Sequence, residues 1–261
     1  MSKLFASRIN LLPLLHLAVA VGIIAPTAAA SAAEILLWSA GAAQNPVSQL
    51  VQAYQQSSDN TVKAEYAPVG VLMQRLAAGG KPDVLIVTQD VMGEVEHNGW
   101  AVAASTTALG SVGVGVAVKE GAPLPDISTP EALRASLLKA KSITYIDPNN
   151  GTSGKHFAAV LQQLGIADQV RSKTTLGKVG FVVEPVARGE IELGIQQITE
   201  ILPVKGVTLV GPLPASLQKI TTYAVTMGSA ASDSAAAATL IRYLKQDSAV
   251  AVFKAKGFSV P

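Results

Sequence analysis

The sequence contains no cysteine, which excludes disulfide bonds, thiol nucleophiles and thiolate metal sites. It also lacks the GxSxG turn of serine hydrolases, the phosphate-binding P-loop and the HExxH zinc signature. Histidines and carboxylates do not cluster at metal-ligand spacing. Gly113 and Gly115 lie inside a strand-like run and do not open a helix, so they do not indicate a dinucleotide site. We therefore expect no metal, no redox cofactor and no hydrolase or kinase activity.

Charged residues are also scarce, at 15% of the chain. Lys3 and Arg8 precede an apolar segment over residues 11–24, which is shorter than the ~20 residues that span a bilayer, and small residues follow it. This order predicts a secretory signal peptide over residues 1–33, cleaved after Ala33 or Ala30, and a periplasmic mature protein. Its removal leaves equal numbers of basic and acidic residues, so the composition does not indicate a nucleic-acid partner.

Strand-like apolar runs alternate with segments of helical spacing along the mature chain. Three strand, loop and helix units occupy residues 35–54, 61–77 and 83–97, and a long β-rich run follows at 111–118. Repeated units of this kind imply an α/β fold with parallel strands and right-handed crossovers. Further strands are predicted at 143–146, 178–183, 193–195 and 223–227, and further helices at 131–140, 152–164, 184–188, 232–244 and 248–256.

Two of the β runs, near 112–118 and 221–227, are interpreted as connections between two lobes. The first lobe then comprises residues 34–112 and 225–261, and the second comprises residues 113–224. In open α/β sheets, ligands bind where the carboxyl ends of strands meet helix starts. The site is therefore expected in the cleft between the lobes, at the loops 39–41, 69–71, 150–156 and 196–197.

The loop at 150–156 has the most informative sequence of the four. A turn at 147–151 ends the preceding strand, and a helix then begins on Thr152, Ser153 and Gly154. The first N–H groups of a helix have no intrahelical partner, so this helix start can bind an anion. Lys155 adds a positive charge, and His156 adds an imidazole, the side-chain type whose unperturbed pKa is nearest to neutrality. The alternative is a capped helix whose lysine and histidine point into water.

Segments along almost the whole mature chain resemble the type II periplasmic solute-binding proteins of the molybdate-binding branch. The resemblance implies a two-lobed fold with a ligand cleft between the lobes and a small anion as ligand. It rests on the order of SAGA at 39–42, PVGVLMQRL at 68–76, GGKPDVLI at 79–86, IDPNNGTSGKH at 146–156, VARGEIELGI at 186–195, YAV at 223–225 and KAKGF at 254–258.

Molybdate binders of this branch hold the oxyanion with neutral donors, including a serine after each of the first two strands and a tyrosine in the last loop. Ser39 matches the first serine, whereas Val69 and Gly70 replace the second and Gln197 replaces the tyrosine. The resemblance therefore disfavours molybdate, since an unpaired group in a dry pocket costs roughly 1–3 kcal/mol. Gly70 is expected to offer space and a free N–H to a larger, carboxylated ligand. On these grounds the chain is identified as a member of the exported aconitate isomerase offshoot.

Membership of that offshoot implies the interconversion of trans- and cis-aconitate by allylic proton transfer, without a cofactor. His156 and Lys155 are the predicted catalytic residues, because a histidine pKa of ~6.5 suits both proton uptake and release and an ammonium pairs with a carboxylate. Glu184 is the alternative base, and Arg75 contributes only if its helix turns it toward the cleft. The expected substrate-binding residues are Ser39, Ala40, Gly70, Thr152, Ser153, Gly154 and Gln197.

The rival function is a binding protein that delivers molybdate or another small anion to an ABC permease. Such a protein leaves its ligand unchanged, whereas an isomerase converts it. In either case we expect a tricarboxylate or a comparable anion as the small-molecule partner, and we expect a monomer.

Overall fold

The computed structural model describes Met1 and residues 32–260. The predicted signal peptide lies outside the described residues except for Met1, Ala32 and Ala33, so it stays a prediction. Within the described residues, no helix combines the length and apolarity needed to cross a membrane.

Ten strands and ten α-helices occupy residues 34–255. The strands are β1 (Glu34–Ala40), β2 (Thr61–Ala67), β3 (Val84–Thr88), β4 (Thr107–Val112), β5 (Val114–Lys119), β6 (Ile143–Ile146), β7 (Thr174–Gly177), β8 (Leu193–Gln197), β9 (Val207–Pro212) and β10 (Thr221–Met227). The helices are α1 (Gln44–Ser57), α2 (Val69–Ala77), α3 (Met92–His97), α4 (Pro130–Lys139), α5 (Thr152–Gln163), α6 (Ala167–Arg171), α7 (Glu184–Ala187), α8 (Ile198–Ile201), α9 (Ser234–Tyr243) and α10 (Asp247–Ala255).

The strands form two five-stranded sheets. The first has the order β2, β1, β3, β10, β4, and the second has the order β7, β6, β8, β5, β9. In each sheet three strands are parallel, and the remaining two join them through antiparallel pairs. The carboxyl ends of the parallel strands therefore lie at one edge of each sheet, where helices begin.

Each sheet has its own apolar core, as expected for two lobes. All five residues of β3 are buried, which suits a strand that is covered on both faces. Helix α1 buries Val47, Leu50, Val51 and Tyr54, whose spacing places them on one face. Phe157 of α5 is fully buried in the core of the second sheet. The predicted two-lobed α/β fold is thus confirmed.

The chain crosses between the sheets twice, first at Gly113 and again between Pro212 and Thr221. The β-rich run at 111–118 is therefore two strands in different sheets. All of β10 lies in the first sheet, whereas the expected lobe boundary at 224 and 225 would divide it. We propose that the first lobe comprises residues 34–112 and 221–261, and the second residues 113–220.

The strand predicted at 178–183 is wrong, because the chain turns back there. Strand β7 ends at Gly177, and a Cβ on this glycine would lie 2.2 Å from the Val182 side chain. Gly180 has a φ of +75°, in the left-handed region that favours glycine and that regular strands do not use. The prediction also misses β9, whose residues are half-buried or exposed and show no alternation in burial.

Candidate functional site

A cavity lies between the two lobes, at the carboxyl ends of their parallel strands. We call it the inner cavity; it has a volume of about 510 Å³, part of which is open to solvent. The first lobe contributes Ala40, Gly41, Ala42, Gln44, Tyr66, Ala67, Pro68, Val69 and Tyr223, and the second contributes Ile146, Gly151, Thr152, Ser153, Gly180, Phe181, Gln196, Gln197 and Glu200. All four loops expected at the site contribute to this lining.

Helix starts from both lobes bring backbone N–H groups to the inner cavity. A 3₁₀ turn at Gly41–Ala43 follows β1 directly and continues into α1. In the second lobe, α5 begins at Thr152, after Gly151. The first N–H groups of such helices lack intrahelical partners and carry the positive end of the helix dipole. The inner cavity can therefore hold an anion without a cationic side chain.

Two glycines allow α5 to begin directly against the end of β6. A Cβ on Gly154 would lie 1.9 Å from the carbonyl oxygen of Ile146, and a Cβ on Gly151 would lie 2.6 Å from the Ile146 side chain. Any larger residue at these positions pushes the helix start away from the strand. The GTSG sequence thus sets the position of Thr152 and Ser153 beside the cavity.

Ser39 and Gly70 were expected to bind the substrate, but neither residue lines the inner cavity. The Ser39 side chain is fully buried and its hydroxyl donates to the carbonyl oxygen of Ala40 at 3.2 Å, so it does not line the cavity. The N–H of Gly70, expected to be free, donates to the carbonyl oxygen of Asn150 in the second lobe at 2.8 Å. Gly70 therefore joins the lobes.

Lys155 and His156 line a second, wider cavity between the lobes, which we call the outer cavity. It has a volume of about 1290 Å³ and is also lined by Gly70, Asp90 and Lys219. Lys155 is exposed, and His156 donates from Nε2 to the carbonyl oxygen of Leu217 at 2.7 Å. The structure therefore places the two predicted catalytic residues next to the inner cavity and not in it. Val69, Gly151 and Thr152 line both cavities.

Two further candidates from the sequence, Arg75 and Glu184, line neither cavity, and Asp147 forms a turn. Arg75 pairs with Glu65 at 3.1 Å and lies over the Trp38 ring, 5.7 Å from its centre, so it does not turn toward the cleft. Glu184 is exposed at the start of α7 and lines neither cavity. Asp147 accepts a hydrogen bond from the N–H of Asn149 at 2.8 Å, as a turn-forming residue does.

The sequence analysis missed Glu200, which lines the inner cavity from α8. Glu200 is partly buried, and the surrounding protein atoms raise the pKa of its carboxyl to about 8. The Gln196 side chain and the Gln197 backbone lie beside the carboxyl and lower its pKa in part. A carboxyl with a pKa near neutrality can both take up and release a proton.

Two tyrosines in the same cavity were also missed. Burial raises the pKa of Tyr66 to about 12. Burial also raises the pKa of Tyr223 well above its usual value, and the negative charge of Glu200 raises it further. Both phenols therefore remain protonated at neutral pH and can donate hydrogen bonds.

Gln196 and Gln197, at the end of β8, are almost fully buried beside Glu200. Gln196 donates from its amide to the carbonyl oxygen of Gly180 at 3.0 Å, and Gln197 has a weak contact to the Thr221 hydroxyl at 3.5 Å. Within the described part of the chain, neither amide oxygen has a hydrogen-bond partner. Since both residues line the cavity, a ligand group with an O–H or N–H donor can satisfy these two acceptor oxygens, whereas an ionised carboxylate cannot.

The lining of the inner cavity contains no lysine, arginine or histidine among residues 32–260. Within the same residues, there is no group of three or more histidines and carboxylates that could hold a metal ion. An anion in this cavity would therefore be bound by backbone N–H groups and hydroxyls rather than by a cationic side chain.

Residues 35–259 match the model of the bacterial extracellular solute-binding protein family. The chain is 30% identical over 221 residues to an aconitate isomerase from a Pseudomonas species, covering 82% of this chain and 83% of that protein. It is 24% identical over 240 residues to the molybdate-binding protein ModA of Escherichia coli, covering 91% and 93%. The periplasmic molybdate-binding protein of Azotobacter vinelandii is similar in structure, with a TM-score of 0.75, 17% identity and coverage of 87% and 99%.

Proposed function

The chain belongs to the bacterial extracellular solute-binding protein family, in its type II, molybdate-binding branch, and on this premise we propose that it is an exported aconitate isomerase. The similarity to a curated aconitate isomerase over most of both chains supports this reaction. Two relatives named for molybdate binding are less similar, at 24% and 26% identity.

The observation that carries the proposal is the set of groups in the inner cavity. Thr152 and Ser153 provide hydroxyls and helix-start N–H groups, Gln197 provides an amide, and Glu200 provides a carboxyl. The Ser39 hydroxyl, which matches a donor of the molybdate binders, is turned to Ala40 instead. The Glu200 carboxyl, whose pKa is raised to about 8, can gain and lose a proton near neutral pH, which an allylic proton transfer requires and the binding of an oxyanion does not.

The proposed reaction moves a C=C bond within aconitate. A base removes a proton from the methylene carbon, and the electron pair of that C–H bond joins the double bond as an extended allylic anion. Return of a proton to the former vinylic carbon places the double bond on the other side of the central carbon. N–H and hydroxyl donors stabilise the intermediate anion, and the partly enclosed cavity limits access of water to it.

We place one carboxylate of the substrate at the start of α5, near the N–H groups of Thr152, Ser153 and Gly154. A second carboxylate lies at the 3₁₀ turn after Ala40. Since Thr152 lines both cavities, the third carboxylate can extend toward the ammonium of Lys155. This placement gives Lys155 a binding role, and a catalytic role for Lys155 or His156 stays a prediction.

A second candidate function is delivery of a small anion to an ABC permease, and membership of a solute-binding family favours it. The two lobes would then close over the ligand without changing it. Only this second candidate function requires a permease as partner.

We further propose that the protein is made with a signal peptide at residues 1–33 and acts in the periplasm as a monomer. This agrees with a family described as extracellular. Sedimentation of the purified mature chain, with and without aconitate, measures the oligomeric state.

Incubation of the mature protein with trans-aconitate, followed by chromatography, tests the proposal. An isomerase produces cis-aconitate in proportion to enzyme concentration and time. A transport protein is stabilised thermally by its ligand and leaves it unchanged. Tight binding of molybdate without turnover of aconitate would exclude the isomerase.

A further inference from the structure

Glu200 is the only carboxyl side chain that lines the inner cavity among the described residues. It lies in α8, which begins directly after β8, so the end of a strand in the second lobe sets its position. Its carboxyl reaches across to the first lobe, because a Cβ on Gly41 would lie only 2.9 Å from Glu200 Oε1. Glu200 thus contacts the first lobe at the loop that carries the start of α1.

The anion donors share this cavity with Glu200. Thr152 and Ser153 line it from α5, and Gly41 and Ala42 line it from the turn after β1. An anion held by these helix starts occupies the space that Glu200 faces. An ionised Glu200 would repel the carboxylates of the substrate, whereas a protonated Glu200 can donate a hydrogen bond to them, so its interaction with the substrate changes when it gains or loses a proton.

We propose that Glu200 is the catalytic residue that carries the proton in the isomerisation, an assignment that rests on the proposed aconitate isomerase function. The ionised carboxylate takes the proton from the methylene carbon, and the C–H electron pair enters the allylic anion. The protonated carboxyl then delivers a proton to the former vinylic carbon, which forms the new C–H bond and restores the carboxylate. The two reacting carbons are separated by one carbon, so a single carboxyl can serve both.

The surroundings of the two candidates favour Glu200 over His156. His156 donates from Nε2 to the carbonyl oxygen of Leu217 and lines the outer cavity, beside the exposed Lys155. Glu200 lines the inner cavity, which has the helix-start donors. Burial also raises the pKa of Glu200 to about 8, close to the value at which one group serves as both base and acid.

The titration of Glu200 can be distinguished from that of the other ionisable groups in the inner cavity, because their pKa values differ from its own. Tyr66 and Tyr223 are the other titratable residues of the described lining, and both have raised pKa values that keep them protonated near pH 8. Asp90 acts from the outer cavity on Tyr223 and carries a lowered pKa, so it stays ionised. A change in activity near pH 8 is therefore assigned to Glu200.

The test compares wild-type protein with Glu200→Gln, which keeps the size of the side chain and removes its ability to accept a proton. We expect turnover of trans-aconitate to fall by roughly 10²- to 10⁴-fold while binding, measured by calorimetry, changes by less than ten-fold. Glu120→Gln, the same change at an exposed turn residue, is the matched control and retains wild-type turnover. Glu200→Asp, which keeps a carboxyl, retains more turnover than Glu200→Gln.

The pH dependence of turnover by the wild-type protein provides a second test, which does not depend on whether the Glu200 variants fold. Since the ionised carboxylate is the base, kcat/KM of the wild-type protein rises with pH and levels off above about 8. Absence of aconitate turnover in the wild type removes the proposed function itself. Wild-type turnover that persists in Glu200→Gln, or that is abolished only in His156→Gln, overturns the assignment to Glu200 and leaves the isomerase in place.

Discussion

The backbone N–H of Gly70 donates to the carbonyl oxygen of Asn150 at 2.8 Å, and this bond joins the start of α2 in the first lobe to the loop before α5 in the second. A Cβ on Gly70 would lie 2.7 Å from the carbonyl oxygen of Asn149 and 2.8 Å from that of Asn150. Both neighbours are backbone atoms, so they cannot move aside without displacing the loop.

We therefore predict that Gly70→Ala prevents the lobes from closing to this distance. Affinity for aconitate should fall by about ten-fold or more, because the helix starts of the two lobes no longer reach the same ligand. Calorimetry measures the affinity, and small-angle X-ray scattering with ligand present measures the lobe separation. Gly93→Ala, in α3 where nothing lies within 4 Å of the added Cβ, is the control. Equal affinities for both variants would contradict a role for Gly70 at the lobe contact.

Gly154→Ala should disturb the start of α5 itself. The added Cβ would lie 1.9 Å from the carbonyl oxygen of Ile146, so the helix must shift away from β6. We expect a loss of about 1–3 kcal/mol in the free energy of unfolding, measured by urea denaturation. Gln162→Ala changes an exposed residue of the same helix and should alter this free energy by less than about 0.5 kcal/mol. A Gly154→Ala variant as stable as the wild type would show that the close contact has no energetic effect.

The free energy of unfolding should depend on pH through Glu200. Its pKa is raised from 4.5 to about 8 in the folded protein, so the folded state binds more protons than the unfolded state between these values. This stabilising contribution is fully present below the unfolded pKa and is lost as pH rises toward 8, with a slope of up to about 1.4 kcal/mol per pH unit.

Glu200→Gln removes this slope, so the difference in stability between wild type and variant should change steadily from pH 5 to pH 8. Guanidinium denaturation at intervals of one pH unit measures it. Parallel curves for the two proteins would mean that the Glu200 carboxyl is not protonated in the folded state near neutrality.

Asp83 connects the two chain segments of the first lobe. Its side chain, only 6% exposed, accepts hydrogen bonds from the Leu36 N–H at 2.7 Å, the Ser232 N–H at 2.6 Å and the Ser232 hydroxyl at 2.9 Å. Asp83→Asn replaces one acceptor oxygen with a donor and should cost about 1.5–3 kcal/mol in the free energy of unfolding. Ser232→Ala removes only the hydroxyl bond and should cost less. An equal or larger loss in Ser232→Ala would contradict the central position of Asp83.

The regular elements could be predicted because their patterns have simple physical causes. The strand predicted at 83–87 is β3 (Val84–Thr88), all of whose residues are buried, and the spacing of Val47, Leu50 and Tyr54 places them on one buried helix face. The segment 178–183 also contains apolar residues, but the chain turns at Gly180 and the segment does not form a strand. The spacing of apolar residues does not predict such a chain reversal, because the reversal depends on packing between elements.

The site was harder to predict than the fold. Thr152 and His156 are only four residues apart, yet Thr152 reaches the inner cavity whereas His156 lines only the outer one. Residues four apart share one face of a helix but lie about 6 Å apart along its axis, so only the one at the helix start reaches the inner cavity. Glu200 lies in the first turn of α8, where an acid is expected simply as a partner of the helix dipole. Its place in the cavity depends on the approach of the two lobes, which sequence spacing does not encode.

The most direct test of the central claim follows the aconitate isomers by proton NMR from both directions. The mature protein is mixed with pure trans-aconitate in one sample and pure cis-aconitate in another. Our account predicts that both samples approach the same ratio of isomers at a rate proportional to protein concentration. Unchanged spectra in both samples, with aconitate or molybdate nevertheless bound, would contradict the isomerase and leave a binding protein.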